Sequence, residues 1–254
     1  FSMLDLPIKS VIGDIRDIDN LTRVFDRFQP EIIFHLAAQS LVRRSYDDPA
    51  ETFKTNVMGT VNIFEACRRT SSVRAVINIT SDKCYENREW LWGYRENDPM
   101  GGYDPYSASK GCAELVTSAY RNSFFNLAEY DRKHYTLLAS ARAGNVIGGG
   151  DWAKDRIMTD MMKAVSQGEK LYIRNPWATR PWQHVLEPLS GYLLLGQKLL
   201  EGEKEFAEAW NFGPNDDGSI PVLQMVKQMR KIWNKIDYQI DQDENNPHEA
   251  DLLK

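Results

Sequence analysis

Tyr106 and Lys110, in the run Tyr106-Ser107-Ala108-Ser109-Lys110, would share one face of a helix, a single turn apart. An ammonium in that place stabilises a phenolate and makes the tyrosine a usable base near neutral pH. Alone, the spacing suits any amphipathic helix and specifies little. It gains weight from a second cluster. A strand-like apolar run ends in Thr80-Ser81-Asp82-Lys83, which adds a hydroxyl, a carboxylate and a second amine.

These groups need a scaffold, and the hydrophobic rhythm supplies one. Lys9–Gly13 reads as a short strand ending at Asp14. A helix follows from about Asp19, with Leu21, Val24, Phe25 and Phe28 on one stripe, and Pro30 closes it. Glu31–Leu36 is a buried-strand run. Pro49–Arg69 reads as one long helix with Asp48 as N-cap, Pro49 at its first position and Phe53, Val57, Phe64 and Cys67 facing inward. Ala75–Thr80 is the next strand, and an aromatic-rich loop leads to a helix over Tyr106–Phe124. Tyr135–Arg142 is again a strand. Strand alternating with helix predicts an α/β fold, a Rossmann-like doubly wound parallel sheet.

After Arg142 the rhythm breaks. The Gly-rich stretch Gly144–Trp152, a helix near Arg156–Gln167 and a strand around Leu171–Ile173 predict a smaller lobe, while Pro188–Leu200 and Ala209–Phe212 read as a helix–strand pair returning to the main sheet. The expected division is a dinucleotide-binding domain over 1–143 with 180–213 returning to it, and a substrate-binding lobe over 144–179 and 214–254. Both ends read as incomplete: no GxxGxxG turn precedes the first strand, so a complete sheet would need a further strand–helix unit before Phe1. Gly148-Gly149-Gly150 cannot substitute, because it follows the Tyr106 helix.

Composition sets the outer bounds. The chain has 254 residues, net charge −5, 26% charged and 42% hydrophobic residues, which is ordinary for a soluble globular protein. No basic stripe with interleaved aromatics points to nucleic acid. No apolar run reaches membrane-spanning length. Arg43-Arg44 and Arg68-Arg69 read as solvated charges or as contacts to a small anion. Cys67, Cys84 and Cys112, without a CxxC, read as reduced, packed thiols of a cytoplasmic protein. The histidines show no metal-ligand spacing, so no metal site is expected.

On this sheet the informative residues fall at strand carboxyl ends, where doubly wound folds bind ligands. Gly13-Asp14-Ile15-Arg16-Asp17, His35-Leu36-Ala37-Ala38-Gln39, Thr55-Asn56-Val57-Met58-Gly59-Thr60 and the Tyr106/Lys110 pair resemble the extended short-chain dehydrogenase/reductases acting on sugar nucleotides. The match runs from Gly13 to about Gly213. Longer strings narrow it to the 4,6-dehydratases of that family, in the branch that acts on CDP-glucose. These are Thr80–Asn87, Gly93–Pro99, Gly101–Tyr106, Arg142–Trp152 and Arg180–Leu189.

The resemblance implies a three-step reaction with tightly held NAD. Tyr106, assisted by Ser81, takes the proton of the sugar 4-hydroxyl as hydride leaves C4. Water is then lost across C5–C6, with Asp82 protonating the departing 6-hydroxyl, and the hydride returns to C6. In the dTDP-glucose dehydratases a glutamate follows the aspartate and serves as the C5 base, whereas this chain has Lys83. A lysine there resembles the CDP-glucose branch; it acts as base only if neutral, or else holds the developing enolate.

The same resemblance implies the binding residues. Asp14 accepts from the adenine amino group and Ile15 packs on the ring. Leu36, Ala37 and Ala38 approach the cofactor's ribose and diphosphate, Thr55 lies nearby, and Lys110 donates to the nicotinamide ribose. Asn145, Arg156 and Arg180 contact the sugar-nucleotide diphosphate. A homodimer through helices 49–69 and 105–124 is also implied. Asn56 is expected to brace backbone rather than touch ligand, while Trp90, Trp92 and Tyr94 either pack the loop or wall the sugar pocket.

Overall fold

Capping chemistry sets the helix boundaries. In the computed structural model, which describes residues 6–215, 218–241 and 250–252, Asp17 accepts from the Asn20 amide and opens α1 (Ile18–Phe28). Gln29, in the left-handed region at φ 44°, closes it. β1 (Ile32–His35) follows, then α2 (Val42–Asp47) and α3 (Pro49–Phe53), whose N-cap Asp48 accepts from Glu51. A π-helical turn, Lys54–Met58, separates α3 from α4 (Gly59–Arg69). β2 (Ala75–Ile79), α5 (Pro105–Ser123) and β3 (Leu137–Ala143) complete the first part of the chain.

The smaller lobe holds β4 (Asn145–Ile147), α6 (Ile157–Gln167), β5 (Leu171–Ile173) and β6 (Thr179–His184). α7 (Leu186–Leu200) and β7 (Ala209–Phe212) return to the main sheet. β8 (Ser219–Pro221), α8 (Val222–Ile232) and β9 (Tyr238–Ile240) go back to the small lobe. The main sheet is parallel in the order β1-β2-β3-β7. In the small lobe β6 lies between parallel β4 and antiparallel β8, and β5 pairs with β9.

Alternation along the central strands builds two covered faces. Ala75, Ile77, Ala139, Ala141 and Ala143 pack with Tyr192, Leu195 and Leu199 of α7, while Val76 and Leu138 pack with Ile63, Phe64 and Phe125 on the opposite side. This is the doubly wound arrangement that the strand–helix rhythm predicts.

Three expectations need correction. Lys9–Gly13 forms no strand: it has no ladder partner among the described residues, and Ile12 is 97% exposed. Pro49–Arg69 is not one uniform helix. The π turn inserts a residue and rotates the helix face, so Phe64 and Cys67 are buried as expected but Phe53 faces outward. Arg180–His184 belongs to β6 of the small sheet, so the return to the main sheet begins at α7.

One buried polar network ties the strand ends together. Glu114 of α5 accepts from the Thr80 hydroxyl, from Ser140 at 2.8 Å and from the Arg142 guanidinium at 2.7 Å. Arg142 also donates to Tyr85 Oη at 2.7 Å and to the Glu96 carbonyl at 2.9 Å, and Tyr85 donates to Asn211 at 2.7 Å. Burial opposes ionisation of Glu114, yet Arg142 and the two hydroxyls hold its carboxyl below the ordinary value. Removing one partner of such a pair strands a buried charge, so Glu114→Ala is expected to cost about 3–5 kcal/mol in urea unfolding. A loss under about 1 kcal/mol would show that the pair is expendable.

Candidate active site

The carboxyl ends of β2 and β3 and the small lobe enclose a cavity of about 970 Å³. Ser81, Lys83, Tyr106, Asn145, Arg156 and Arg180 all line it. Five of them thus join from four segments around Tyr106, which α5 presents in its first turn, two residues after its N-cap Asp104.

At the end of β2 the chain turns through a single 3-10 turn, Asp82–Cys84. Ser81 Oγ donates to Asp82 Oδ1 at 2.9 Å and accepts from the Lys83 amide at 3.3 Å. Lys83 Nζ stands 3.5 Å from the same Asp82 oxygen. Asp82 Oδ2 is buried with no partner among the described residues. A side chain at Gly144 would meet Pro181 at 2.6 Å and Asp82 Oδ2 at 3.3 Å, so only glycine leaves room for that carboxylate.

The electrostatics of the Tyr106/Lys110 pair differ from the sequence expectation. Burial pushes the Tyr106 phenol up to about 12, and Asp82 adds to it, while contact with Ser81 and the charge of Arg156 act downward. Lys110 is itself pushed down to about 8 by burial, against the pull of Glu114. Its Nζ donates to the Ile79 carbonyl at 3.3 Å rather than sitting beside the phenol. The phenol therefore stays protonated in this state, because desolvation outweighs the nearby positive charge.

Behind the cavity a brace holds the loop after β1. Asn56, in the π turn, donates to the Gln39 carbonyl at 2.9 Å and to Ser109 at 2.8 Å, and accepts from the Gln39 amide at 2.8 Å. Ser109 in turn donates to the Tyr106 carbonyl at 2.7 Å. Asn56 braces backbone, as its pattern suggested.

Asp14, Ala38 and Thr55 line a second, shallow depression of about 320 Å³. Ser40 and Leu41 border both depressions. Asp14 is exposed and clamped by Arg16 at 2.6 Å, which holds its carboxyl down to about 2. Ile15 packs against Gly59, whereas Leu36 and Ala37 stand uncovered at the end of β1. Arg156 pairs with Asp151 at 3.1 Å and donates to Ser40 at 3.2 Å. Arg180 is buried and donates to the Thr179 carbonyl at 3.0 Å. Asn145 Oδ1 is a buried acceptor with no partner among the described residues.

Trp90, Trp92 and Tyr94 pack on one another and on Tyr85, outside the cavity lining, so they build the loop. Two cavity arginines escaped the sequence reading. Arg43 and Arg174 both reach Asp155, at 3.5 and 3.0 Å, and Arg43 carried only the weak signal of an Arg-Arg pair. Among the described residues no His/Cys/Asp/Glu group is placed to hold a metal, and no helix is long and apolar enough to cross a membrane.

Comparison with known proteins settles the family. The profile of the GDP-mannose 4,6-dehydratase family matches residues 4–204. The chain belongs to that family. A CDP-glucose 4,6-dehydratase of Salmonella typhimurium is 56% identical over 97% of this chain and 68% of its own length. Among solved structures, a Thermus thermophilus UDP-glucose 4-epimerase in complex with NAD superposes with TM-score 0.79 at 21% identity, over 95% of this chain and 72% of that one. A Bacillus anthracis dTDP-glucose 4,6-dehydratase in complex with NAD gives 0.77 at 20% identity, over 99% and 72%. Both share the family's fold.

The buried Lys110 makes stability depend on pH. Its folded pKa of about 8 lies below the ordinary 10.5, so between those values the unfolded chain binds more protons and stability rises with pH. The cost is present in full below pH 8. Unfolding free energies from urea titrations should climb across this window by up to about 3 kcal/mol, and Lys110→Met should abolish the climb. A flat wild-type profile would refute the buried-amine description.

Proposed function

We propose that the protein catalyses NAD-dependent 4,6-dehydration of CDP-glucose to CDP-4-keto-6-deoxyglucose. Identity of 56% to a CDP-glucose 4,6-dehydratase supports the substrate. The observation that carries the reaction is the buried, unpartnered Asp82 Oδ2 beside Ser81, Lys83 and Tyr106. A pure epimerase needs no acid for a departing hydroxyl, and this oxygen has no structural task.

The residues present fit a dinucleotide. Leu36, Ala37 and Ala38 offer small or uncovered surface at a strand end, with Asp14, Ile15 and Thr55 beyond them and Lys110 beneath. When bound, NAD supplies a hydride acceptor for C4 that becomes the donor to C6. Tyr106, which lines the cavity together with Ser81, takes the 4-hydroxyl proton in this reading. Asp82, between the cavity-lining Ser81 and Lys83, protonates the leaving 6-hydroxyl in this reading. Lys83, 3.5 Å from Asp82, stabilises in this reading the enolate that forms once C4 is a ketone. Asn145, Arg156 and Arg180, which line the cavity from the small lobe, are assigned to the sugar nucleotide, and arginine suits diphosphate.

We further read the setting as the bacterial cytoplasm, with the product feeding deoxysugar synthesis for lipopolysaccharide O-antigen. The working unit is a homodimer through helices 49–69 and 105–124. Met58 and Leu115, 52% and 60% exposed, give these helices apolar outer surface.

Mass spectrometry of CDP-, UDP- and dTDP-glucose incubated with the full-length protein and NAD tests the reaction. Loss of one water from CDP-glucose alone is expected. Lys83→Met should still accumulate bound NADH while losing dehydration, by roughly 10²–10⁴-fold, and unaltered turnover would remove Lys83 from the mechanism. For the dimer, sedimentation should show two copies in the wild type and one in Leu115→Glu, and a monomeric wild type would end that reading.

A further inference from the structure

The two faces of the sheet offer the cavity two tyrosines. Asn78, Ser140 and Arg142 point to α5, the helix that carries Tyr106. Ile77, Ala141 and Ala143 point the other way, to α7 and Tyr192. Tyr192 is only 5% exposed, and its ring meets Phe212 edge-on, with centroids 5.4 Å apart at 88°. It borders the same cavity as Tyr106, together with Ile79 and Ala143 at the strand ends.

The Tyr192 hydroxyl makes no hydrogen bond with any described residue, and burial alone pushes its phenol up to about 12. Phenylalanine would fill the same place against Phe212, so the hydroxyl adds nothing to that packing. Such a group in a cavity wall is explained by a partner that arrives with the ligand.

We propose that Tyr192 is a further binding residue of this site, whose hydroxyl donates to the carboxamide oxygen of the dinucleotide's nicotinamide. The proposal rests on the dinucleotide reading given above. Its location favours that end of the ligand over the sugar diphosphate. Tyr192 approaches the strand ends opposite Tyr106, where a hydride-accepting ring must lie to reach the carbon whose hydroxyl Tyr106 serves. Arg156, Arg174 and Arg180, the groups suited to phosphate, belong instead to the small lobe. A neutral donor flanked by Ile79, Ala143 and an aromatic ring suits a planar, neutral carboxamide.

The test is calorimetric titration of the full-length protein and its Tyr192→Phe variant with NAD and with ADP-ribose, which lacks the nicotinamide. The variant should bind NAD about tenfold more weakly, the worth of one hydrogen bond. Its affinity for ADP-ribose and its unfolding midpoint should match the wild type. Unchanged NAD affinity, or equal weakening of both ligands, overturns the proposal. A wild-type protein that binds neither ligand overturns the dinucleotide reading itself, and the role of Tyr192 with it.

Discussion

The buried ion pair between Glu114 and Arg142 is the constraint on which the rest of this molecule depends. An isolated charge at that depth would be prohibitively unstable, so each member fixes where the other must be. Glu114 lies one turn beyond Lys110 on α5, Thr80 immediately precedes Ser81, and Arg142 immediately precedes the Ala143-Gly144-Asn145 corner. Satisfying one carboxylate therefore sets the register of three separate chain segments against one another. Arg142 then passes the constraint outward, through Tyr85 and Asn211, to the long loop and to β7. Polar groups at the ends of parallel strands become a rigid rim rather than a frayed one.

That rim explains how so polar a site survives next to an apolar core. The layers around Ile77 and Ala139 on one side, and Phe64 and Leu138 on the other, need no specific chemistry beyond volume. At the strand ends most inward polar groups have a defined partner; Asp82 Oδ2, between the cavity-lining Ser81 and Lys83, and Asn145 Oδ1 in the cavity wall are among those that have none. Both lie at the margin of the cavity, the pattern expected when local rules yield to function.

Much of this was legible in the amino-acid sequence because it rests on short-range rules. Asp48 caps a helix through a contact a few residues away, and the apolar runs of β1, β2 and β3 declare buried strands without reference to the rest of the chain. The grouping of Ser81 and Lys83 with Tyr106 at one cavity was suggested by strand-end placement together with the family resemblance. What escaped was non-local. A π turn leaves no mark in residue type, so the outward turn of Phe53 could not be foreseen. The strand reading of Lys9–Gly13 failed because pairing depends on neighbours elsewhere in the chain. Tyr106 carries the spacing of an activated base, yet the desolvation that keeps it protonated comes from the whole fold.

The connections between the lobes carry a mechanical consequence. β3 passes into β4 through Gly144 alone, and β6 passes into α7 through Val185 alone. The Val185 amide bonds to the Ile147 carbonyl at 2.8 Å, lashing the second crossing to the strand that follows the first. Two one-residue tethers bound side by side leave almost no slack. Such short crossings do not let the lobes swing apart as they would on a flexible linker. The floor of the cavity thus behaves as a fixed anvil, and ligand entry must be managed by the side chains and loops at its open rim.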